Sequence, residues 1–405
     1  LAIEVIHPYV ANEISKNDLK KIIDDSYKHF SNPKIAPVTT IEQNKYILEL
    51  FYGPTFAFKD YALQFLGNLF TYALPKASKK LTVLGATSGD TGSAAIHAFR
   101  GKQDINVFIL HPHNRVSDVQ RRQMTTVQDD NIFNVAIKGN FDDCQKIVKE
   151  LFIDDELQQH TSLTAINSIN WARLMAQVVY YFWAYLQIDE QEINFIVPSG
   201  NFGNVFSANV AKKMGLPINQ LHITTNQNDI LHSSIKNGLM KKNVVTQTYS
   251  PSMDIQVSSN FERQLFESSG RDSETINNIF HEFSKNNSYT FDKNLKKDLQ
   301  SCYSTTAVSN DETLNAIKQI KQRYNYLADP HTSTGLHALL EKDPNLPWVS
   351  LACAHPAKFG DAIEKATGEP PVLPKDLSKL FDKEEKMTIL NNNKNILKSL
   401  ILKNL

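Results

Sequence analysis

The sequence predicts an α/β protein of two lobes, each an open, twisted, mostly parallel sheet with helices on both faces. Three observations predict it. Apolar, β-branched runs alternate with helical patterns. The runs VFIL and NFIVP have no polar face, as strands covered on both sides require. The alternation occurs in two series, and 405 residues are enough for two cores.

The elements follow in order. Residues 51–70, FYGPTFAFKDYALQFLGNLF, lead from an aromatic-rich strand into an apolar helix and carry one cation, Lys59. Residues 81–152 give three strand–helix units: LTVLGAT with GSAAIHAFR, INVFILHP with SDVQRRQMTTV, and IFNVAIKG with FDDCQKIVKELF. Parallel strands joined by right-handed crossovers satisfy that order. A second series begins near 163 with the helix ARLMAQVVYYFWAYLQ, then INFIVPSG, VFSANVAKKM and LHITT. Residues 226–310 are irregular and polar, and read as an insertion carrying helices. The Asn- and Lys-rich tail from 375 reads as a surface helix. The expected division is a large domain of residues 1–75 and 156–405, containing the insertion, and a small domain of 76–155.

Composition narrows the partners. With 43 basic and 43 acidic residues there is no electrostatic footprint for nucleic acid or an anionic membrane, so a small-molecule ligand is expected. Cys144, Cys302 and Cys353 are too far apart for a CxxC metal pair or a disulfide framework, which suits a reducing cytoplasm, and no metal is expected. No apolar run reaches the length that spans a bilayer.

Two turns carry chemistry. In LGATSGDTGSAA, residues 84–95, Gly85, Gly89 and Gly92 let the backbone approach a ligand at a helix N-terminus, suiting a small carboxylate or phosphate. GxGxxG and GK[ST] are absent. A plain strand-to-helix turn is the alternative. VPSGNFGNVFSA, residues 197–208, repeats the device with Gly200, Asn201, Phe202, Gly203 and Asn204, where successive N–H groups can enclose a phosphate. One such cradle per lobe predicts a cleft at the carboxyl ends of the strands. Among Phe56, Phe58, Tyr61 and Phe65, Lys59 is expected to be desolvated, which makes an amine a usable nucleophile or base. A lysine near a phosphate cradle suits pyridoxal phosphate.

PTFAFKDYALQFLGNLF, GATSGDTGSAA, LTAINSINWARLMAQVVYYF, PSGNFGNVFSANVAKKMGLPI, SPSMDIQVSSNFERQLFE, DPHTSTG and ACAHPAKF occur here in the order in which they occur in threonine synthases of the longer type. The chain resembles that family over nearly all of residues 1–390. The resemblance implies a pyridoxal 5'-phosphate enzyme of fold type II, like the tryptophan synthase β chain, and a monomer. It implies a carbon–oxygen lyase converting O-phospho-L-homoserine and water to L-threonine and phosphate, the last step of threonine biosynthesis. Lys59, in the FKD motif, would link to the cofactor aldehyde. Gly200, Asn201, Phe202, Gly203 and Asn204 resemble the cofactor-phosphate loop. Ser88, Gly89, Asp90 and Thr91, with Thr87, resemble the loop holding the substrate α-carboxylate. Asn167, Ser168, Asn170 and Arg173 suit polar substrate contacts, and Arg173 a phosphate, whose oxygens its planar fork matches.

Some residues keep two readings. Arg173 also suits a cap or salt bridge within its own helix, and Lys358 suits either a substrate phosphate or solvent. Asp329, His331 and Thr332 of DPHTSTG also describe an ordinary helix start. Cys353 stands where family members often carry a threonine facing the pyridine nitrogen; it can give that nitrogen a weak hydrogen bond or be a buried small residue. The family carries an N-terminal segment ahead of the point matching Leu1. Another lyase of this fold, such as a serine or threonine dehydratase, and a silent homologue binding a phosphorylated metabolite are the rival readings.

Overall fold

The computed structural model describes residues 1–74 and 80–405. Its strands are β1 Val38–Glu42, β2 Lys45–Glu49, β3 Leu81–Ala86, β4 Ile105–Pro112, β5 Ile132–Lys138, β6 Ser162–Ala165, β7 Ile193–Pro198, β8 Ile218–Thr225, β9 Leu239–Lys241, β10 Ser288–Thr290, β11 Tyr303–Ala307, β12 Trp348–Ala352 and β13 Thr388–Asn391. They form two sheets and one ribbon, and the chain divides into two compact units.

The first unit comprises Leu1–Ile6, Asn32–Phe51 and Trp171–Pro371. Its sheet runs β1-β2-β12-β7-β8-β11, parallel except for the antiparallel β1. Central β7, INFIVP, is buried at every position, as a strand between two helical layers must be. The helix Pro330–Leu340 comes close to this sheet at Gly335, where a Cβ would lie 2.6 Å from Ser350 Oγ. β9 and β10 form an antiparallel ribbon.

The second unit comprises His7–Ser31, Tyr52–Asn170 and Val372–Leu405. Its sheet, β13-β5-β4-β3-β6, is wholly parallel. The helix Lys59–Ala73 packs on the helix Asp90–Phe99, nearly backbone to backbone: a Cβ on Gly67 would lie 2.5 Å from the Ala98 carbonyl oxygen. That contact sets the two helices side by side, with their starts, Lys59 and Asp90, at the same end.

These boundaries differ from those expected. The limit at 75/76 falls on residues outside those described. Residues 7–31, 52–74 and 156–170 join the second unit, because helix Lys59–Ala73 packs on the helices Lys16–Tyr27 and Asp90–Phe99, and β6 pairs with β3. The tail is more than a surface helix: β13 pairs with β5, and Leu397 and Ile401 of the helix Lys394–Lys403 are fully buried beside Cys144, Ile147 and Leu151. Residues 226–310 are likewise part of the first unit, and their last strand, β11, completes its sheet beside β8.

Candidate active site

Lys59 opens its helix and is 8 % exposed. The loop before it is locked by Asp60, whose Oδ2 accepts from Thr55 N (2.8 Å) and Oδ1 from Thr55 Oγ1 (2.7 Å). Gly53 must lack a side chain, since a Cβ would lie 2.4 Å from that of Asp60. Asp60, to which the sequence assigns no role, is therefore the clasp of the lysine's loop. Lys59 Nζ sits 5.6 Å from the Phe58 ring centroid and 3.6 Å from Asp90 Oδ2, so an aromatic face and a carboxylate face the ammonium together. Of the other expected aromatics, Tyr61 packs edge-on against Phe30 (4.8 Å) and Phe65 is fully buried.

Asp90 belongs to the SGDTG turn that follows β3. Thr87 Oγ1 accepts from Gly89 N (3.0 Å) and Gly92 N (2.8 Å), so its oxygen is occupied by the turn itself. Gly89 has φ +139°, and a Cβ there would lie 2.6 Å from Gln120 Cδ. Gln120 Nε2 donates to Asp90 Oδ1 (2.8 Å). Ser88 and Thr91 are half-buried beside them. In the same unit Asn167 shapes the turn before Trp171: its carbonyl accepts from Asn170 N (3.2 Å) and its side-chain oxygen from Ile169 N (3.2 Å) and Ser168 Oγ (3.4 Å).

The other unit holds the GNFGN turn. Ser199 Oγ accepts from Phe202 N (3.1 Å) and Asn201 Oδ1 from Gly203 N (3.1 Å). Phe202 is left-handed at φ +66°, tolerated because its ring is anchored between Phe261 (5.2 Å) and Tyr303 (5.4 Å). Phe202 therefore offers a ligand backbone only. The helix Gly203–Lys213 starts without a side-chain cap or an acidic residue in its first turn, leaving N–H groups and the positive dipole end for an anion. Tyr180 and Tyr181 both donate to Asn204 Oδ1 (2.5 and 2.7 Å), while the buried Asn204 Nδ2 has no partner among the described residues. Residues of the expected insertion close over this turn: a Cβ on Gly200 would lie 3.0 Å from Met253 Cα, and Asn260 N donates to Asn201 O (3.0 Å).

Arg173, 4 % exposed, is no surface residue, and burial pushes its guanidinium down to about 10. Lys358, fully buried in the turn Pro356–Lys358, is not solvated either. His355 caps that turn, its Nδ1 accepting from Ala357 N (3.2 Å), and burial lowers it to about 4, so it is neutral. Asp329 caps helix Pro330–Leu340 as the sequence allowed, and also binds His331 Nδ1 (2.8 Å), Thr332 Oγ1 and Ala354 N (3.3 Å). Thr332 Oγ1 in turn accepts from Cys353 N (2.8 Å), fixing the backbone of Cys353, whose Sγ donates weakly towards Leu351 O (3.9 Å).

The expected residues thus fall into two sets. Lys59, Thr87, Ser88, Gly89, Asp90, Thr91, Ser168 and Asn170 lie in the second unit; Arg173, Gly200 to Asn204, Cys353 and Lys358 lie in the first. Missed by the sequence reading were Thr55, Gln120 and Gln123, whose amide and hydroxyl groups form no motif. The one available signal was two glutamines three apart in SDVQRRQMTTV.

A family model for "Pyridoxal-phosphate dependent enzyme" matches residues 39–279, and one for "Threonine synthase, C-terminal" matches residues 332–401. The threonine synthase of Pseudomonas aeruginosa is 45 % identical over 397 residues, covering 97 % of this chain and 85 % of that one. The chain belongs to the threonine synthase family. The Saccharomyces cerevisiae threonine synthase is 43 % identical over 433 residues, covering 96 % and 84 %. The crystal structure of the pyridoxal-phosphate-bound threonine synthase from Brucella melitensis matches with TM-score 0.96 and 43 % identity, covering 100 % of this chain and 88 % of that one. As a member, the chain is a pyridoxal-phosphate-dependent enzyme with the family's fold type II architecture.

The side chains fit that cofactor. It requires an amine, which Lys59 provides, and a phosphate cradle rich in donors and free of acid. The GNFGN turn meets the second requirement through its uncapped helix start and the unpartnered Asn204 Nδ2. Among the described residues no His, Cys, Asp and Glu cluster suits a metal, and no helix is long and apolar enough to cross a membrane.

Proposed function

We propose that the chain turns O-phospho-L-homoserine and water into L-threonine and inorganic phosphate, with Lys59 as cofactor lysine and proton carrier. The observation that carries this reading is the burial of Lys59 beside Asp90 in a family member that also holds an acid-free, donor-rich turn.

Gly200, Asn201, Phe202, Gly203 and Asn204 would form the cradle of the cofactor phosphate, with the backbone N–H groups that Ser199 Oγ and Asn201 Oδ1 leave open and with Asn204 Nδ2 as donors. Cys353, its backbone fixed by the Thr332 hydroxyl on its N–H, would turn its thiol from Leu351 O to the ring nitrogen as a weak donor. When bound, pyridoxal phosphate supplies an electron sink that makes the substrate Cα proton labile. Lys59 takes the proton from Cα and then from Cβ, returns one at Cγ once phosphate has left that carbon, and returns the other at Cα after water has given its hydroxyl to Cβ and its proton to the departed phosphate. Ser88 and Thr91 hold the substrate α-carboxylate, and Gly89, its N–H taken by Thr87 Oγ1, gives the turn the bare backbone that lets the carboxylate approach. Thr87 serves them by keeping the turn closed, and Asp90 by facing Lys59. Arg173 and Lys358, both buried, bind the substrate phosphate, with Ser168 and Asn170 as further polar contacts. The neutral formal charge suits such a small substrate, and a cytoplasmic monomer completes the reading.

Incubating the purified chain with O-phospho-L-homoserine and pyridoxal phosphate should release phosphate and threonine in equal amounts. Phosphate without threonine, or release of ammonia from threonine instead, would overturn the proposal.

A further inference from the structure

The motif SPSMDIQVSSNFERQLFE, residues 250–267, belongs to the family resemblance, yet no step of the reaction uses it. Its first residues lie against the GNFGN turn. A Cβ on Gly200 would lie 3.0 Å from Met253 Cα and 3.2 Å from both Met253 O and Ile255 Cδ1, so the glycine's backbone rests directly on this segment. The segment folds back on itself there: Met253 N donates to Ser250 O (2.9 Å) and Ile255 N to Met253 O (2.8 Å). Gly200 has no side chain with which to anchor itself, and its place is set by what packs upon it.

Asp254 holds that segment. Its Oδ1 accepts from Asn226 Nδ2 (2.8 Å), Asn228 Nδ2 (3.0 Å) and Thr248 Oγ1 (2.7 Å), and its Oδ2 from Thr248 N (3.1 Å). Asn226 and Asn228, each 2 % exposed, follow β8, the strand beside β7, whose end becomes the GNFGN turn. Ser199 N donates to Thr224 O (2.9 Å) across those two strand ends. Asn228 also clasps Thr246, its Oδ1 accepting from Thr246 N (2.9 Å) and its Nδ2 donating to Thr246 O (2.8 Å). The carboxylate thus ties the segment on Gly200 to the end of the neighbouring strand. A second tie comes from Ser252 N, which donates to His331 Nε2 (3.2 Å), a ring that Asp329 Oδ1 holds through Nδ1 (2.8 Å).

We propose that Asp254 is a positioning residue for the cofactor phosphate: through Met253 it holds the Gly200 backbone in place and so keeps the GNFGN turn shaped for an anion. A carboxylate suits the task because it only accepts, and Asn226, Asn228 and Thr248 all donate to it. Asparagine keeps the shape but turns an amide nitrogen towards a donor, and removes the charge that strengthens the remaining bonds. This rests on the GNFGN turn being the phosphate cradle.

The test is D254N in the full chain, stripped of cofactor and titrated at equilibrium with pyridoxal phosphate and with pyridoxal, which carries the same aldehyde for Lys59 but no phosphate. Affinity for pyridoxal phosphate should fall about tenfold, roughly the effect of losing one hydrogen bond to a charged group, while affinity for pyridoxal stays within about twofold of wild type. T248V, nearly the same in shape, takes one donor from Asp254 and should act in the same direction by about threefold. Thermal unfolding establishes that each variant is folded; a tie that only stabilised the fold would lower the melting temperature and leave the preference between the two ligands unchanged. Wild-type affinity for pyridoxal phosphate, or an equal loss for both ligands, in folded D254N overturns the inference, and where D254N does not fold the same result in T248V does so. An Asn204→Asp variant that kept the wild-type preference for pyridoxal phosphate over pyridoxal would instead overturn the assignment of the turn on which the inference rests.

Discussion

The SGDTG and GNFGN turns have the same topology, each following a buried parallel strand and opening a helix, yet they are built with opposite electrostatics. The first places Asp90 in its helix's opening turn and occupies two N–H groups with Thr87 Oγ1. The second also occupies two N–H groups, with Ser199 Oγ and Asn201 Oδ1, but has no acid in its helix's opening turn and leaves the Asn204 amide nitrogen without a partner among the described residues. The same strand–turn–helix device can therefore present a carboxylate to a lysine or donors to a phosphate, according to what stands at the helix start. The sequence reading took both as anion cradles because both are rich in glycine. In the first, anion binding is left to Ser88, Thr91 and the remaining backbone.

The largest test of this contrast is Lys59→Ala, which removes the cation that the first turn faces. Turnover should fall by at least about a thousandfold, with loss of the visible absorbance of bound cofactor, measured by phosphate release and spectroscopy. Turnover within tenfold of wild type would end the contrast as a functional one. Next, Asn204→Asp makes the second turn resemble the first. It should weaken pyridoxal phosphate binding about 100-fold, roughly 3 kcal/mol, in an equilibrium titration. Unchanged affinity would remove Asn204 from the cradle. Third, Thr87→Val strips two buried N–H groups of their acceptor. About 2 kcal/mol of unfolding free energy should be lost with the GNFGN side unaffected, visible as normal cofactor affinity in a less stable protein.

The smallest effect concerns acid. His111 lies near the end of β4, beside the SGDTG turn's strand, buried, and burial lowers it to about 4. Its unfolded value lies near 6.5, so between those limits the unfolded chain binds a proton that the folded chain refuses. Its contribution to stability is thus full above about pH 6.5 and is lost as the pH falls towards 4. Removing this group with His111→Phe should reduce the stability lost between pH 8 and pH 6 by about 0.8 kcal/mol in urea unfolding. His222 and His355, lowered to about 3 and about 4 in the other unit, share that sign and should remain acid-sensitive in the variant.

Legibility followed locality. The strands from β3 to β5 and from β7 to β8 were readable because each is a compact apolar run next to its own helix, and the two turns because glycines cluster where a strand meets a helix. β13 was not: Thr388–Asn391 is short and largely exposed, and becomes a strand by pairing with β5, far back in the sequence. The division into units escaped for the same reason, since it depends on Gly67 meeting Ala98 and on Leu397 packing beside Cys144 and Val135. Asp60 looked ambiguous because its partner, Thr55, is significant only once the loop has closed. Gln120 was invisible because an amide acquires a role through its neighbours, Ser117 and Asp90, and not through its own chemistry.

The pairing of β13 with β5 also sets a schedule for biosynthesis. β5 leaves the ribosome with one edge uncovered, and the strand and helix that cover it, with Leu397 and Ile401, emerge only after the chain from Lys138 to Thr388 has been made. Until then the smaller sheet carries an open, apolar-backed edge of the kind that pairs with other chains, so a nascent or prematurely terminated product is the form of this protein most in need of a chaperone.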